Sequence, residues 1–179
     1  LEKDQTRIEK EIARLESRRE TLQESRGTGA LKLLLQSGLD GIHGPVAQLG
    51  EVSTHNRLAL EVAAGSRIGQ IVVDDDQIAA KAINILKIKK AGRLTFLPLN
   101  KIKFSKGSSS ANALQKNING LIGRALDLIN FDPVYKHVFA YVFGETLVFD
   151  QLNDARNYLG LYRSVTLGGE LLEKSGAMT

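Results

Sequence analysis

Cysteine and tryptophan are absent from this 179-residue chain, methionine occurs once and proline three times. Without cysteine there is no disulfide framework and no thiolate metal site, which suits a reducing cytoplasm. Aromatic residues make up 6% of the chain against 42% hydrophobic residues in all. An aliphatic core is therefore expected. No apolar run approaches the ~20 residues that a membrane-spanning helix needs. The chain opens on Leu1, not Met, and its first segment is densely charged with no signal-peptide pattern. The expectation is a piece of a longer, cytoplasmic polypeptide.

Catalytic constellations are missing as well. No Gly-x-x-x-x-Gly-Lys-[Ser/Thr] loop occurs, and Lys106-Gly107-Ser108 has the wrong spacing for one. Gly27-Thr28-Gly29 is a lone Gly-x-Gly that follows a helical pattern, so a hinge is the better reading. No Gly-x-Ser-x-Gly elbow is found. His43, His55 and His137 lie far apart with no Glu at ligand spacing, and are read as structural. Asp74, Asp75 and Asp76 could be cation ligands, but they precede a helical pattern. One is expected to cap it and the others to favour the positive end of its dipole. No catalytic residue, metal site or cofactor is assigned to this chain, so function is sought in surfaces and partners.

Acidic residues are missing from one long window. Gln77 to Leu126 contains none, yet holds Lys81, Lys87, Lys89, Lys90, Arg93, Lys101, Lys103, Lys106, Lys116 and Arg124. The remaining sequence carries 14 basic against 20 acidic residues. Such segregation is a nucleic-acid footprint, or else the solvated face of a helix and a loop.

What is present begins with a heptad pattern. Leu1, Ile8, Leu15 and Leu22 recur every seven residues, with Gln5, Ile12 and Arg19 in the second seam position. Residues 1–26 otherwise hold seven acidic and seven basic side chains. A seam this narrow needs a partner helix, as in a coiled coil. Like charges at i,i+4 (Glu16 and Glu20, Glu20 and Glu24, Arg14 and Arg18) argue that a partner holds the helix. Gly27-Thr28-Gly29 is expected to break it before an apolar helix from Ala30 to Gln36. Beyond lies an α/β alternation: a glycine loop to Pro45, strands at Val46–Val52, Ile68–Val73 and Leu94–Leu97, and helices from Ser53 or Thr54 to Gly65 and from Gln77 to about Lys89. Lys106 to Asn112 reads as a small-residue linker. After it come a strand or turn within Ile118–Ile129, a helix from Pro133 to Val142, a strand at Glu145–Phe149 and a helix from Asp150 or Asn153 to about Leu159. Strands at Ser164–Leu167 and Glu170–Leu172 flank a Gly168-Gly169 turn. The expected class is mixed α/β. Three parts are expected: a coiled-coil segment 1–26, a first subdomain 27–106 and a second subdomain 107–179.

Four segments resemble, in order, the hinge domain of SMC (structural maintenance of chromosomes) proteins, in its prokaryotic condensin-like form. They are Gly41-Ile42-His43-Gly44-Pro45-Val46-Ala47-Gln48-Leu49, Ala59-Leu60-Glu61-Val62-Ala63-Ala64-Gly65, Gly92-Arg93-Leu94-Thr95-Phe96-Leu97-Pro98-Leu99, and Val165-Thr166-Leu167-Gly168-Gly169-Glu170 with Gly176-Ala177-Met178-Thr179. The resemblance covers about Leu33 to Thr179. It implies a two-subdomain hinge at the far end of an antiparallel coiled coil, with residues 1–26 as the last heptads of one strand and the other strand absent. It implies a homodimer in which each chain's first subdomain meets the other's second subdomain by pairing of sheet edges. Gly168, Gly169 and Gly176 are the implied interface glycines, which let backbones approach. The family's Gly-Gly, three residues, Gly-Gly pattern departs here: the first pair reads Ser175-Gly176, and the second would lie beyond Thr179.

The implied role is to close one end of a DNA-entrapping, nucleoid-associated ring. ATP and Mg²⁺ would act only at head domains absent from this chain. Weak, sequence-independent DNA binding is implied as well, with Lys81, Lys87, Lys89, Lys90, Arg93, Lys101, Lys103 and Lys106 as the candidate surface. The competing expectation is a stand-alone nucleic-acid-binding domain with a coiled-coil tail.

Overall fold

The computed structural model describes the backbone of residues 2–104 and 118–179, and side chains in 5–19, 27–104 and 118–179. Lys106 and the serine-rich linker expected at 106–112 lie outside the described residues.

Helix α1 runs unbroken from Glu2 to Gln36. The expected break at Gly27-Thr28-Gly29 does not occur. Each glycine costs a helix interior about 1 kcal/mol relative to alanine. Downstream, Ala30 and Leu34 are buried against Ala82 and Leu86, and that docking holds the helix through the weak point. Upstream, Ile8, Ile12 and Leu15 are exposed, so the described part of the heptad seam is bare.

The rest is built twice. Gly41, Gly44 and Gly65 recur 79 positions later as Gly120, Gly123 and Gly144. In the first half, β1 (Ile42–Pro45), β2 (Gly50–Val52), α2 (Arg57–Ala64), β3 (Ile71–Val73), α3 (Asp76–Ile88) and β4 (Phe96–Pro98) follow in order. In the second half come β5 (Leu121–Arg124), β6 (Ile129–Phe131), α4 (Lys136–Phe143), β7 (Leu147–Phe149), α5 (Leu152–Arg156), β8 (Ser164–Thr166) and β9 (Leu171–Leu172). The sheets repeat as well. β1 pairs antiparallel with β3, which pairs parallel with β4; β5 pairs antiparallel with β7, which pairs parallel with β8. β9 is added antiparallel to β8. Both β1 and β5 carry a register break just before the second glycine of their pair. The third glycine ends α2 or α4 at φ +55° in each half, a backbone region that glycine enters without steric cost.

The runs Ile71-Val72-Val73 and Leu147-Val148-Phe149 are buried at every position because each strand is covered on both faces. Val72 and Val148 face the core shared by α2 and α4. Ile71 and Val73 face Ala79 of α3, and Leu147 and Phe149 face Ala155 of α5. The expected strand at Val46–Val52 divides into a 3-10 turn, Val46–Gln48, and the short β2. The glycine loop before it contains a strand, β1. Both differences follow from pairing with distant residues, which local pattern does not encode. Asp75 caps α3, its carboxylate accepting from the Ile78 amide at 2.8 Å, as expected for one of the three aspartates.

The halves join through β2 and β6, paired antiparallel as Gly50 with Phe131, Glu51 with Asn130 and Val52 with Ile129. Below this ribbon Phe131, Phe139 and Phe143 stack nearly parallel, with successive centroids 4.4 and 6.3 Å apart. A Cβ on Gly50 would lie 2.7 Å from Phe139 Cζ and 2.9 Å from Ile129 Cγ2, so only glycine fits.

Two outcomes are expected in denaturant titrations. Gly50→Ala lowers stability by about 1–3 kcal/mol through overpacking at the junction. Gly27→Ala and Gly29→Ala each raise it by about 0.5–1 kcal/mol, since beyond the helix's own adjoining backbone no described atom lies within 4 Å of either added methyl. A neutral Gly50→Ala would refute the close approach of β2 to Phe139.

Candidate functional site

Two surfaces were singled out by sequence: the glycines near the carboxyl end and the lysines of the acid-free window. The glycines sit on the β8–β9 hairpin but do not form one cluster. Gly168 and Gly169 lie at its turn, and Gly176 in a second turn leading to Ala177–Thr179. Gly169 has φ +91°, and a Cβ there would lie 3.3 Å from Leu58 of α2. A Cβ on Gly168 would lie 2.8 Å from the Glu170 carboxylate. Gly176, at φ +97°, faces open space. Gly168 and Gly169 therefore shape the turn and its seat on α2 within one chain. The Thr166 hydroxyl hydrogen-bonds the Glu170 carboxylate across this turn and holds that carboxyl below its ordinary value.

The outer margin of β9 is taken by the chain's own tail. The Leu171 amide donates to the Thr179 carbonyl at 3.0 Å, the Thr179 amide returns to Leu171 at 2.9 Å, and the Glu173 amide donates to Ala177 at 2.8 Å. The margin presented on that side is thus the outward edge of Ala177–Thr179. The first-half sheet ends on β1 at one margin and on β4 at the other, and in β4 Pro98 removes one amide donor.

The basic residues spread along α3. Lys81 lies mid-helix, and Lys87, Lys89, Lys90 and Arg93 are all exposed around its C-terminal end, where they complement the helix dipole. Lys90 itself takes the left-handed turn, at φ +51°. Lys101 lies at the other end, beside Asp76, and Lys103 follows it. Asp76 is held below its ordinary value first by the hydrogen bond from Asn100 and also by the Lys101 charge. At 1.5 Å per residue, the two ends of α3 are about 20 Å apart, so the surface is a stripe and not a point. Arg124 is engaged by the Asp127 carboxylate through two hydrogen bonds of 2.8 and 3.0 Å.

Contacts between the halves went unforeseen. His43 of β1 lies with Nε2 2.6 Å from Asp74 Oδ1 and Nδ1 2.8 Å from the Tyr135 hydroxyl of the second half. Burial, with the Asp132 and Asp74 charges, pushes the Tyr135 hydroxyl up. Arg67, after α2, donates to the Tyr141 carbonyl of α4 at 2.9 Å and sits 4.5 Å over the Tyr141 ring. In return Arg163 of the second half donates to the Ala63 carbonyl of α2 at 2.9 Å. Each half thus places a guanidinium at the negative end of the other half's central helix. These two arginines flank an open pocket of about 540 Å³. Only the 79-residue offset of the glycine pairs could have signalled that the halves face one another.

The fold matches known proteins. The family model for the SMC proteins Flexible Hinge Domain matches residues 39–159. The Chromosome partition protein Smc of a Synechococcus strain is 51% identical over 179 residues, covering 100% of this chain and 15% of that protein. The Pyrococcus furiosus Smc hinge domain with an extended coiled coil superposes with a TM-score of 0.74 at 42% identity, covering 89% of this chain and 56% of that one. An asymmetric dimer of the Geobacillus stearothermophilus SMC hinge domain superposes with a TM-score of 0.78 at 32% identity, covering 93% and 73%. The expected resemblance and the mixed helix-and-sheet class both hold. With the family model covering most of its length, from the first glycine turn to α5, this chain belongs to the SMC flexible hinge domain family.

Proposed function

We propose that this chain is the dimerising hinge of a chromosome partition Smc protein, closing one end of a ring built by the longer polypeptide. The family match carries this reading. The chain spans 15% of the Synechococcus relative, so ring closure, entrapment of DNA and ATP-driven steps at distant head domains belong to the proposed whole protein. The three-part division at 1–26, 27–106 and 107–179 belongs to the same reading, with α1 continuous across its first boundary. The dimer is expected to join the first half of one copy to the second half of the other. The β4 edge and the outward edge of Ala177–Thr179 supply main-chain donors and acceptors for such strand addition. Gly168, Gly169 and Gly176 remain the proposed interface glycines, with Gly176 the one whose surroundings are open. The bare seam of α1 would take the returning coil strand.

A second, auxiliary reading rests on the absence of acid from Gln77 to Leu126. Lys81, Lys87, Lys89, Lys90, Arg93, Lys101 and Lys103 along α3, with Lys106 beyond it, would hold nucleic-acid phosphates without reading sequence. The cellular place that follows is the cytoplasm, at the nucleoid.

Two measurements test these readings. Sedimentation equilibrium without DNA should give twice the 19.6 kDa chain mass at tens of micromolar, and the same mass in 1 M salt. Pairing of strand edges is main-chain bonding that salt screens little. A monomer in high salt would favour the stand-alone nucleic-acid module instead. Replacing Lys87, Lys89, Lys90 and Arg93 together by Glu should abolish DNA retention at low salt and leave the mass unchanged. Unchanged retention would remove the α3 stripe as the nucleic-acid surface.

A further inference from the structure

We infer that Arg163 is a positioning residue for self-association: it fixes the β8–β9 hairpin and the Ala177–Thr179 edge against the first half of the same chain. The inference rests on the dimerising reading above. Arg163 lies immediately before β8, and its side chain is about one-third exposed, at 31%. One guanidinium meets three groups. Nη1 donates to the Ala63 carbonyl of α2 at 2.9 Å and to the Thr146 hydroxyl at 3.0 Å. Nε reaches both oxygens of Glu173, just after β9, at 3.2 and 3.3 Å. Thr146 is fully buried, and its hydroxyl in turn donates a hydrogen bond to the Phe143 carbonyl at 2.6 Å. The C-terminal ends of α2 and α4, the start of β8 and the end of β9 thus share one cation.

The second anchor is Leu58. It is half-exposed, and it packs where a Cβ on Gly169 would lie, at the turn of the same hairpin. Leu58 and Ala63 are five residues apart on α2, about 7.5 Å along its axis. The hairpin therefore rests on α2 at its two ends, with Arg163 at one and the Gly169 turn at the other. β9 has two residues and is too short to stay ordered by its own ladder. Among the described residues the tail pairs with β9, through Leu171 and through Leu172 opposite Met178, and with Glu173 just after it. Loss of the Arg163 anchor frees the far side of β9 and with it the edge that the tail presents. An edge that must be ordered on binding costs affinity, whereas a fixed one does not.

The test compares the wild-type chain with Arg163→Ala and Arg163→Lys by sedimentation and by amide hydrogen exchange. All are measured at a temperature where each variant is fully folded by near-ultraviolet circular dichroism. Arg163→Ala should weaken the dimer about tenfold or more. It should also accelerate exchange at Leu171, Glu173 and Thr179 while Val72 and Val73 of β3 keep their protection. Arg163→Lys, which keeps the charge but cannot span Ala63 and Glu173 together, should fall between. Leu58→Ala should add to the Arg163→Ala effect at the turn. Unchanged exchange at Leu171 and Thr179 in Arg163→Ala overturns the inference. So does a lower melting temperature with an unaltered dimer constant, because a purely structural arginine would give that split. If the wild-type chain is monomeric throughout, the dimerising reading fails by itself, and the exchange measurement still decides whether Arg163 holds the edge.

Discussion

The antiparallel pairing of β2 with β6 is the constraint on which the molecule depends. Each half supplies one three-residue strand, too short to persist alone, and among the described residues neither has a strand partner in its own half. Their pairing forces α2 and α4 together beneath the ribbon. That burial creates the central core, in which Val46, Val72 and Leu97 of one half meet Ala125, Val148 and Val165 of the other. Removing the pairing would leave two small sheets, each with an open apolar face. The aromatic stack of Phe131, Phe139 and Phe143 fills the space that Gly50 leaves. One missing side chain and three rings are thus parts of a single packing solution.

Polar contacts between the halves follow from that arrangement. Once α2 and α4 lie together, their C-terminal carbonyls emerge in a common cleft. Unmet carbonyls at a helix end are costly when water is restricted. Arg67 and Arg163 answer this reciprocally, each crossing to the helix of the other half. On another side of the junction, His43 bridges Asp74 and Tyr135 and ties β1 to the segment before α4. Hydrophobic burial supplies most of the driving force, while these directional bonds fix the angle at which the halves meet. The edge strands inherit that angle, which is what a surface made from both halves requires.

Much of this was legible in the residue order, because several signals are local. Asp75 as a cap, Gly65 as a helix end and the all-apolar strands at Ile71–Val73 and Leu147–Phe149 follow from short-range pattern. The aliphatic core follows from composition. The hinge family was legible through ordered segments spread along the chain. What escaped depends on distant pairing. β1 hides within a glycine loop because its partner is β3, about thirty residues on. Gly27-Thr28-Gly29 reads as a break because propensity is local, while the docking of Ala30 and Leu34 on α3 is not. The lysines were legible as a charge anomaly, but their separation along α3 became evident only once Lys101 was placed beside Asp76. Arg163 offered no signal, since its partners lie a hundred, seventeen and ten residues away.

The unbroken run of α1 has a mechanical consequence. From Glu2 to Ala30 the helix extends about 42 Å, yet among the described residues its apolar seat is confined to one turn, Ala30 and Leu34 with Leu31 and Leu33 beside them. A sideways load at the far tip therefore acts as a lever of roughly seven to one on that single turn. Small apolar contacts resist such torque poorly, whereas a continuous helix bends little over this distance. A pull on the rod would therefore load this one turn first, and because Leu31 packs on Ile71 and Val73 while Ala30 and Leu34 pack on α3, such a load would reach the first sheet there.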